Sequence, residues 1–298
     1  MIYVIFVFFY GLCRFCFLVP EALHTDEKGL KQTRCFFRTG SSLQFKNILF
    51  EKADGVATIT INRPPLNILD IPTLQDLNKA LDTVKKDDRL GVVVLKGAGD
   101  RAFSAGVDIK DHMPETVDEL LDAFHGVFYL LFDLDRPVIA VVNGYALGGG
   151  CEIVAACDLV IASDTSVFGQ PEINAGVFPP PATVLFPKLI GRRKTFELIL
   201  TGDRIDAKEA ERIGLINKAV PVEQLDETVN ALVSKLQEKS PIVLRLNRKA
   251  IYEGLDIDSK TALAKVTELY LNRLMKTQDA LEGLTAFLEK RKPMWKGK

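Results

Sequence analysis

The chain has 298 residues, of which 47% are hydrophobic and 26% charged, a composition that suits a folded globular protein with a sizeable core. Basic and acidic residues nearly cancel (38 against 39, net charge −1), which excludes a nucleic-acid partner held by bulk charge. Five cysteines, Cys13, Cys16, Cys35, Cys151 and Cys157, contain one C-x-x-C with no second pair to complete a zinc site, and the usage suits a reducing, cytoplasmic compartment.

Residues 1–20 are apolar except for Arg14. No positive charge precedes the run, as a secretory signal requires, and a membrane span of full length would have to bury Arg14. Residues 1–44 are expected to be an extension outside the fold, either an upstream translation start or, alternatively, an anchor. No membrane association is expected unless residues 1–20 are that anchor.

Patterned sequence starts near Phe45. Two strand-like runs flank Asp54-Gly55, a hairpin signal. Leu74, Leu77, Leu81 and Val84 then recur at helical spacing. "LGVVVLKGAG" is a short apolar run of the kind buried on both faces. Residues 115–133 are expected to be helical, and "RPVIAVVNG" is a further buried strand. A helix starts around Gly149 and the strand "LVIASD" follows. This alternation predicts an α/β protein with largely parallel strands and is compatible with a spiral of ββα turns. From about residue 192 the pattern is almost wholly helical. A core over 45–240 is therefore followed by a helical region over 241–298, whose apolar stripes need a partner surface.

The histidines, His24, His112 and His125, have no metal-binding neighbours at useful spacing, and no G-x-S-x-G elbow or G-x-x-x-x-G-K-[ST] loop occurs. Two strand-to-turn transitions carry more information. At Gly148-Gly149-Gly150 the backbone is open to close approach, and the first N–H groups of the following helix lack internal partners. At Ser104-Ala105-Gly106 small residues precede Val107, whose N–H is a second donor. Together, the Val107 and Gly149 N–H groups would make an oxyanion hole; singly, each turn reads as well as tight backbone packing. Two carboxylates lie nearby in sequence. Glu152 sits one helical turn past Gly149, and Glu172 sits in the loop of "FGQPEINAGVFPP". Apolar surroundings would raise their pKa values and suit them to acid–base work. The competing roles are a helix-start charge for Glu152 and a solvated loop residue for Glu172.

At these residues the chain resembles the crotonase superfamily, the enoyl-CoA hydratase/isomerase fold. The resemblance runs from about Phe45 to the C-terminus through "ITINRP", "FSAGVDIKD", "PVIAVVNGYALGGGCEIVAACDLVIASD", "FGQPEI", "LTGDRIDAKEAERIGLINKAVP" and "AFLEKRK". It implies a spiral of ββα units with a C-terminal helical trimerisation region, giving homotrimers or hexamers. It implies an acyl-CoA substrate and no cofactor beyond the coenzyme A of that substrate. It assigns Val107 and Gly149 to the oxyanion hole, Glu152 and Glu172 to catalysis, and Val107, Asp108, Ile109, Lys110 and Gly149 to the path of the CoA. Lys290 falls at a lysine near the CoA phosphates, reached from a neighbouring subunit. Retention of both glutamates implies addition of water to a conjugated thioester. "GVFPPP", with Phe178 and Pro179 at the acyl pocket, resembles the cyclohexa-1,5-dienecarbonyl-CoA hydratases and implies a cyclic dienoyl-CoA. The alternatives are a straight-chain enoyl-CoA hydratase, an enoyl-CoA isomerase, or a non-catalytic CoA- or RNA-binding member of the fold.

Overall fold

A computed structural model describes residues 45–298; the expectations for 1–44, including the C-x-x-C and the anchor, lie outside the described residues. Gln44–Lys298 packs as one unit.

The hairpin forms as its turn signal predicts: β1 (Ile48–Ala53) pairs antiparallel with β2 (Val56–Ile61) around Asp54 and Gly55, both at positive φ. Helix α1 (Ile71–Lys85) is capped by the Asp70 side chain, which accepts from the Thr73 N–H. Its Leu74, Leu77, Leu81 and Val84 stripe is fully buried. Strands β3 (Val92–Gly97), β5 (Val138–Val142), β7 (Leu159–Ser163) and β10 (Lys218–Val220) continue the sheet in parallel, in the order β1-β2-β3-β5-β7-β10.

A second sheet of four three-residue strands runs β4 (Ala102–Ser104), β6 (Tyr145–Leu147), β8 (Val167–Gly169) and β9 (Arg204–Asp206). Each of three turns of chain contributes one strand to the first sheet, one to the second, and then a helix. These are β3-β4-α2 (Val117–Asp133), β5-β6-α3 (Gly149–Ala155) and β7-β8-α4 (Pro180–Leu189). This is the ββα spiral. The short strands escaped sequence pattern because three residues cannot display a period of two.

The apolar strands of the large sheet are buried on both faces. Val93, Leu95, Val138, Ala140 and Val142 pack with α1 and α2 residues in the main core. Val92, Val94, Ile139, Val141 and Ile161 point the other way, onto Leu225 and Val229 of α7 (Leu225–Gln237), which follows α5 (Gly191–Thr201) and α6 (Ala207–Arg212) in the chain. The C-terminal region is helical, with α8 (Pro241–Gly254), α9 (Ser259–Asn272) and α10 (Gln278–Leu288). Between α9 and α10 a 3-10 turn over Leu274–Lys276 leads to Thr277, which caps α10 through its hydroxyl. Helix α8 is clamped to the core. Arg248 pairs with Asp158 at 2.7 Å and donates to the Leu131 and Leu134 carbonyls, while the Tyr252 hydroxyl donates to the same Asp158 carboxylate. Among the described residues no helix is long and apolar enough to cross a membrane.

Candidate active site

The second sheet brings the chemistry-bearing segments together, because β4, β6 and β8 end side by side. The chain after β4 forms an isolated bridge between Val107 and Leu69: the Leu69 N–H donates to the Gly106 carbonyl (2.9 Å) and the Asp108 N–H to the Leu69 carbonyl (3.0 Å). In that pattern the intervening Val107 N–H faces away from Leu69. It has no hydrogen-bond partner among the described residues, and neither does the Gly149 N–H at the start of α3. The two residues touch, since a Cβ built on Gly149 would stand 2.6 Å from Val107 Cγ2.

The glycine run has a reason beyond open space. Gly148 has φ +50° and ψ −129°, a conformation closed to residues with a Cβ, and a Cβ there would lie 2.6 Å from Glu172 Oε1. The glycines therefore let the spiral close tightly, and that closure brings Glu172 against the start of α3. Close packing and donor exposure are one arrangement here, not alternatives.

Glu152 is 2% exposed, a carboxylate inside the main core. One hydrogen bond reaches it, from the Ala182 N–H to Oε1 at 2.8 Å. Pro179, Pro180 and Pro181 have no N–H, so Ala182 supplies the first free donor of α4, and it is aimed at this glutamate. Burial pushes the Glu152 pKa up to about 8, opposed by the Ala182 N–H and reinforced by the nearby Glu172 charge. Glu172, in a 3-10 turn over Pro171–Ala175, is half-buried, and burial raises its pKa to about 7. Close to neutral pH this pair is poised to hold one proton and one charge between them.

Sequence reasoning missed two polar contributors. Gln170 is completely buried. With its amide nitrogen toward Glu172, the orientation its surroundings favour, it donates to both carboxylate oxygens at 3.1 Å each. Its only signal was a buried-type amide two residues from the acid. His112 was set aside for lack of metal-binding neighbours, yet it lines the same cavity.

That cavity has a volume of about 500 Å³. Both glutamates, Val107, Ile109 and Gly149 face it, and Leu120, Leu121, Phe124 and Val177 make its apolar wall. Phe178 and Pro179 also line it. Asp108, Lys110 and Lys290 do not. Asp108 caps the 3-10 turn over Ile109–His112 and lies 3.7 Å from Arg63. Lys110 is exposed on that turn, and Lys290 is exposed just after α10.

The site therefore combines two unpartnered backbone donors, two acids of raised pKa and an apolar pocket. Such a set can stabilise a developing oxyanion and move protons beside it.

The family model described as enoyl-CoA hydratase/isomerase matches residues 51–298. The short-chain-enoyl-CoA hydratase of Clostridium acetobutylicum is 40% identical over 256 residues, covering 84% of this chain and 97% of that protein. The crotonyl-CoA hydratase of Syntrophomonas wolfei is 37% identical over 255 residues, covering 84% and 98% respectively. The crystal structure of an enoyl-CoA hydratase from Bacillus anthracis superposes with a TM-score of 0.81 at 37% identity, covering 85% of this chain and all of that one. With the spiral fold, these likenesses establish that the chain belongs to the enoyl-CoA hydratase/isomerase family.

Proposed function

We propose that this chain adds water across the α,β double bond of an enoyl-CoA thioester. The observation that carries the proposal is the pair Glu152 and Glu172, both with raised pKa, facing one cavity beside the Val107 and Gly149 N–H groups. The thioester oxygen accepts from those two N–H groups. One glutamate takes a proton from water as its oxygen bonds to the β-carbon, and the π electrons move toward the thioester oxygen as an enolate. The other, protonated, glutamate delivers its proton to the α-carbon. One O–H bond of water and one π bond are lost, and one C–O and one C–H bond form. Each backbone donor of such a hole contributes about 3–4 kcal/mol to transition-state stabilisation. No cofactor is needed beyond the coenzyme A carried by the substrate.

A straight-chain acyl group is the better supported, because two relatives bear the names short-chain-enoyl-CoA hydratase and crotonyl-CoA hydratase. The second reading is a cyclohexa-1,5-diene-1-carbonyl group. Its support is the Phe178-Pro179 wall, which stiffens and adds an aromatic face to the cavity. Assay of crotonyl-CoA beside the cyclic dienoyl-CoA separates them. A higher kcat/KM with crotonyl-CoA supports the first, the reverse order installs the second, and hydration of neither refutes the proposal.

The proposal extends to assembly. Leu263, Leu281, Phe287 and Leu288 are 69%, 68%, 83% and 81% exposed, too much apolar surface on α9 and α10 to leave in water. Packing of these helices against further copies, as a trimer or hexamer, would cover it and bring Lys290 toward a neighbour's CoA phosphates. Sedimentation of the purified chain as a monomer would refute this.

A further inference from the structure

His112 is the one histidine among the residues lining the cavity. It closes the 3-10 turn over Ile109–His112, and that turn is pinned from three sides. The Asp108 N–H donates to the Leu69 carbonyl at 3.0 Å, the Ile71 N–H donates to Asp111 Oδ2 at 3.0 Å, and the Thr116 hydroxyl donates to the Asp111 carbonyl at 3.0 Å. The ring itself is fixed by Nδ1, 3.1 Å from the Asp108 carbonyl oxygen.

A carbonyl oxygen only accepts, so Nδ1 carries a proton in this contact. With the proton on Nδ1, the neutral tautomer of the ring offers Nε2 as a lone-pair acceptor. Nε2 has no partner among the described residues. Apart from the two glutamates and Asn174, the cavity that His112 lines is largely apolar, with Met113, Leu120, Leu121 and Phe178 in its wall. A plain hydrocarbon chain against that wall satisfies the apolar side chains and leaves the imidazole nitrogen without a hydrogen bond, an arrangement that costs affinity once water is displaced.

We propose that His112 Nε2 accepts a hydrogen bond from a hydroxyl on the acyl group, so that the pocket favours acyl-CoA thioesters hydroxylated beyond the β-carbon over hydrocarbon chains of equal length. The inference rests on the hydratase reading only for the occupant being an acyl-CoA. It makes His112 a specificity-determining residue, with no part in the proton transfers.

The test is calorimetric binding of unreactive, saturated thioesters in matched pairs: butanoyl-CoA with 4-hydroxybutanoyl-CoA, and hexanoyl-CoA with 6-hydroxyhexanoyl-CoA. The wild-type chain should bind the hydroxylated member of at least one pair about tenfold more tightly, the value of one net hydrogen bond. His112→Leu should bring that ratio close to one, and His112→Gln, which restores an acceptor, should recover most of it. No preference in the wild type, a ratio unmoved in His112→Leu, or failure to bind any of the four thioesters overturns the proposal. Crotonyl-CoA turnover is followed in parallel. Preference for a hydroxylated thioester without hydration of crotonyl-CoA or the cyclic dienoyl-CoA sinks the hydratase reading alone, and hydration with flat binding ratios sinks the role of His112 alone.

Discussion

Glu152 should make the fold less stable as pH rises, and Glu152→Gln should remove that dependence. The carboxyl titrates near pH 4.5 in an unfolded chain and near pH 8 in the fold, chiefly because burial disfavours its charge. Between those values the folded protein keeps a proton that the unfolded chain has released. The stabilising effect of that retained proton is complete below pH 4.5 and is lost as pH climbs through the folded value. Within the window the loss amounts to about 2–3 kcal/mol between pH 5.5 and 7.5. Glutamine preserves the volume and keeps an oxygen for the Ala182 N–H, but does not titrate. Urea unfolding of both proteins at pH 5.5, 6.5 and 7.5 isolates the effect as the difference between them. That difference should shift toward the variant by about 2 kcal/mol or more across the range. Parallel stability curves would refute burial as the source of the raised pKa.

Three further outcomes follow from the same geometry. Gln170→Met removes both donors to Glu172, which favours its protonated form; the acidic limb of the kcat/KM profile should move to higher pH, and an unmoved profile would remove Gln170 from the proton machinery. Gly148→Ala forces a Cβ into a backbone conformation open only to glycine, 2.6 Å from Glu172 Oε1. It should cost about 1–3 kcal/mol of stability, read by urea titration, and lower kcat besides. Arg248→Met leaves the half-buried Asp158 without its cation and the Leu131 carbonyl without a donor. A loss of about 3–5 kcal/mol is expected, and a melting temperature within a degree of wild type would show that α8 is held by other contacts.

Much of the site was legible in the chain because its parts are local. Gly148 to Glu152 lie within one helix start, and the small residues before Val107 mark a turn wherever they occur. The two acids stood out by being carboxylates in apolar sequence. What the chain could not display is how the spiral stacks them. The three-residue strands β4, β6 and β8 carry no periodicity, yet their alignment brings Val107, Gly149 and Glu172 together. Glu172 reads as a solvated loop residue as readily as a catalytic one, and the fold half-buries it beside Gln170. The proline run pointed, by resemblance, to the acyl pocket. Its further effect, leaving Ala182 as the first donor for Glu152, depends on a tertiary contact thirty residues apart. His112 was judged by its sequence neighbours, whereas its role is set by a cavity built from other elements. Arg248 carries no signal of its own in the chain, because its clamp on Asp158 spans ninety positions.

The account stands on both glutamates acting in the addition of water. The most direct measurement is steady-state conversion of crotonyl-CoA to 3-hydroxybutanoyl-CoA by the wild type, Glu152→Gln and Glu172→Gln, with binding of butanoyl-CoA followed alongside. The wild type should turn over, kcat should fall about 10²–10⁴-fold in each variant, and thioester binding should be largely retained. Wild-type turnover that persists unchanged in either variant would contradict it.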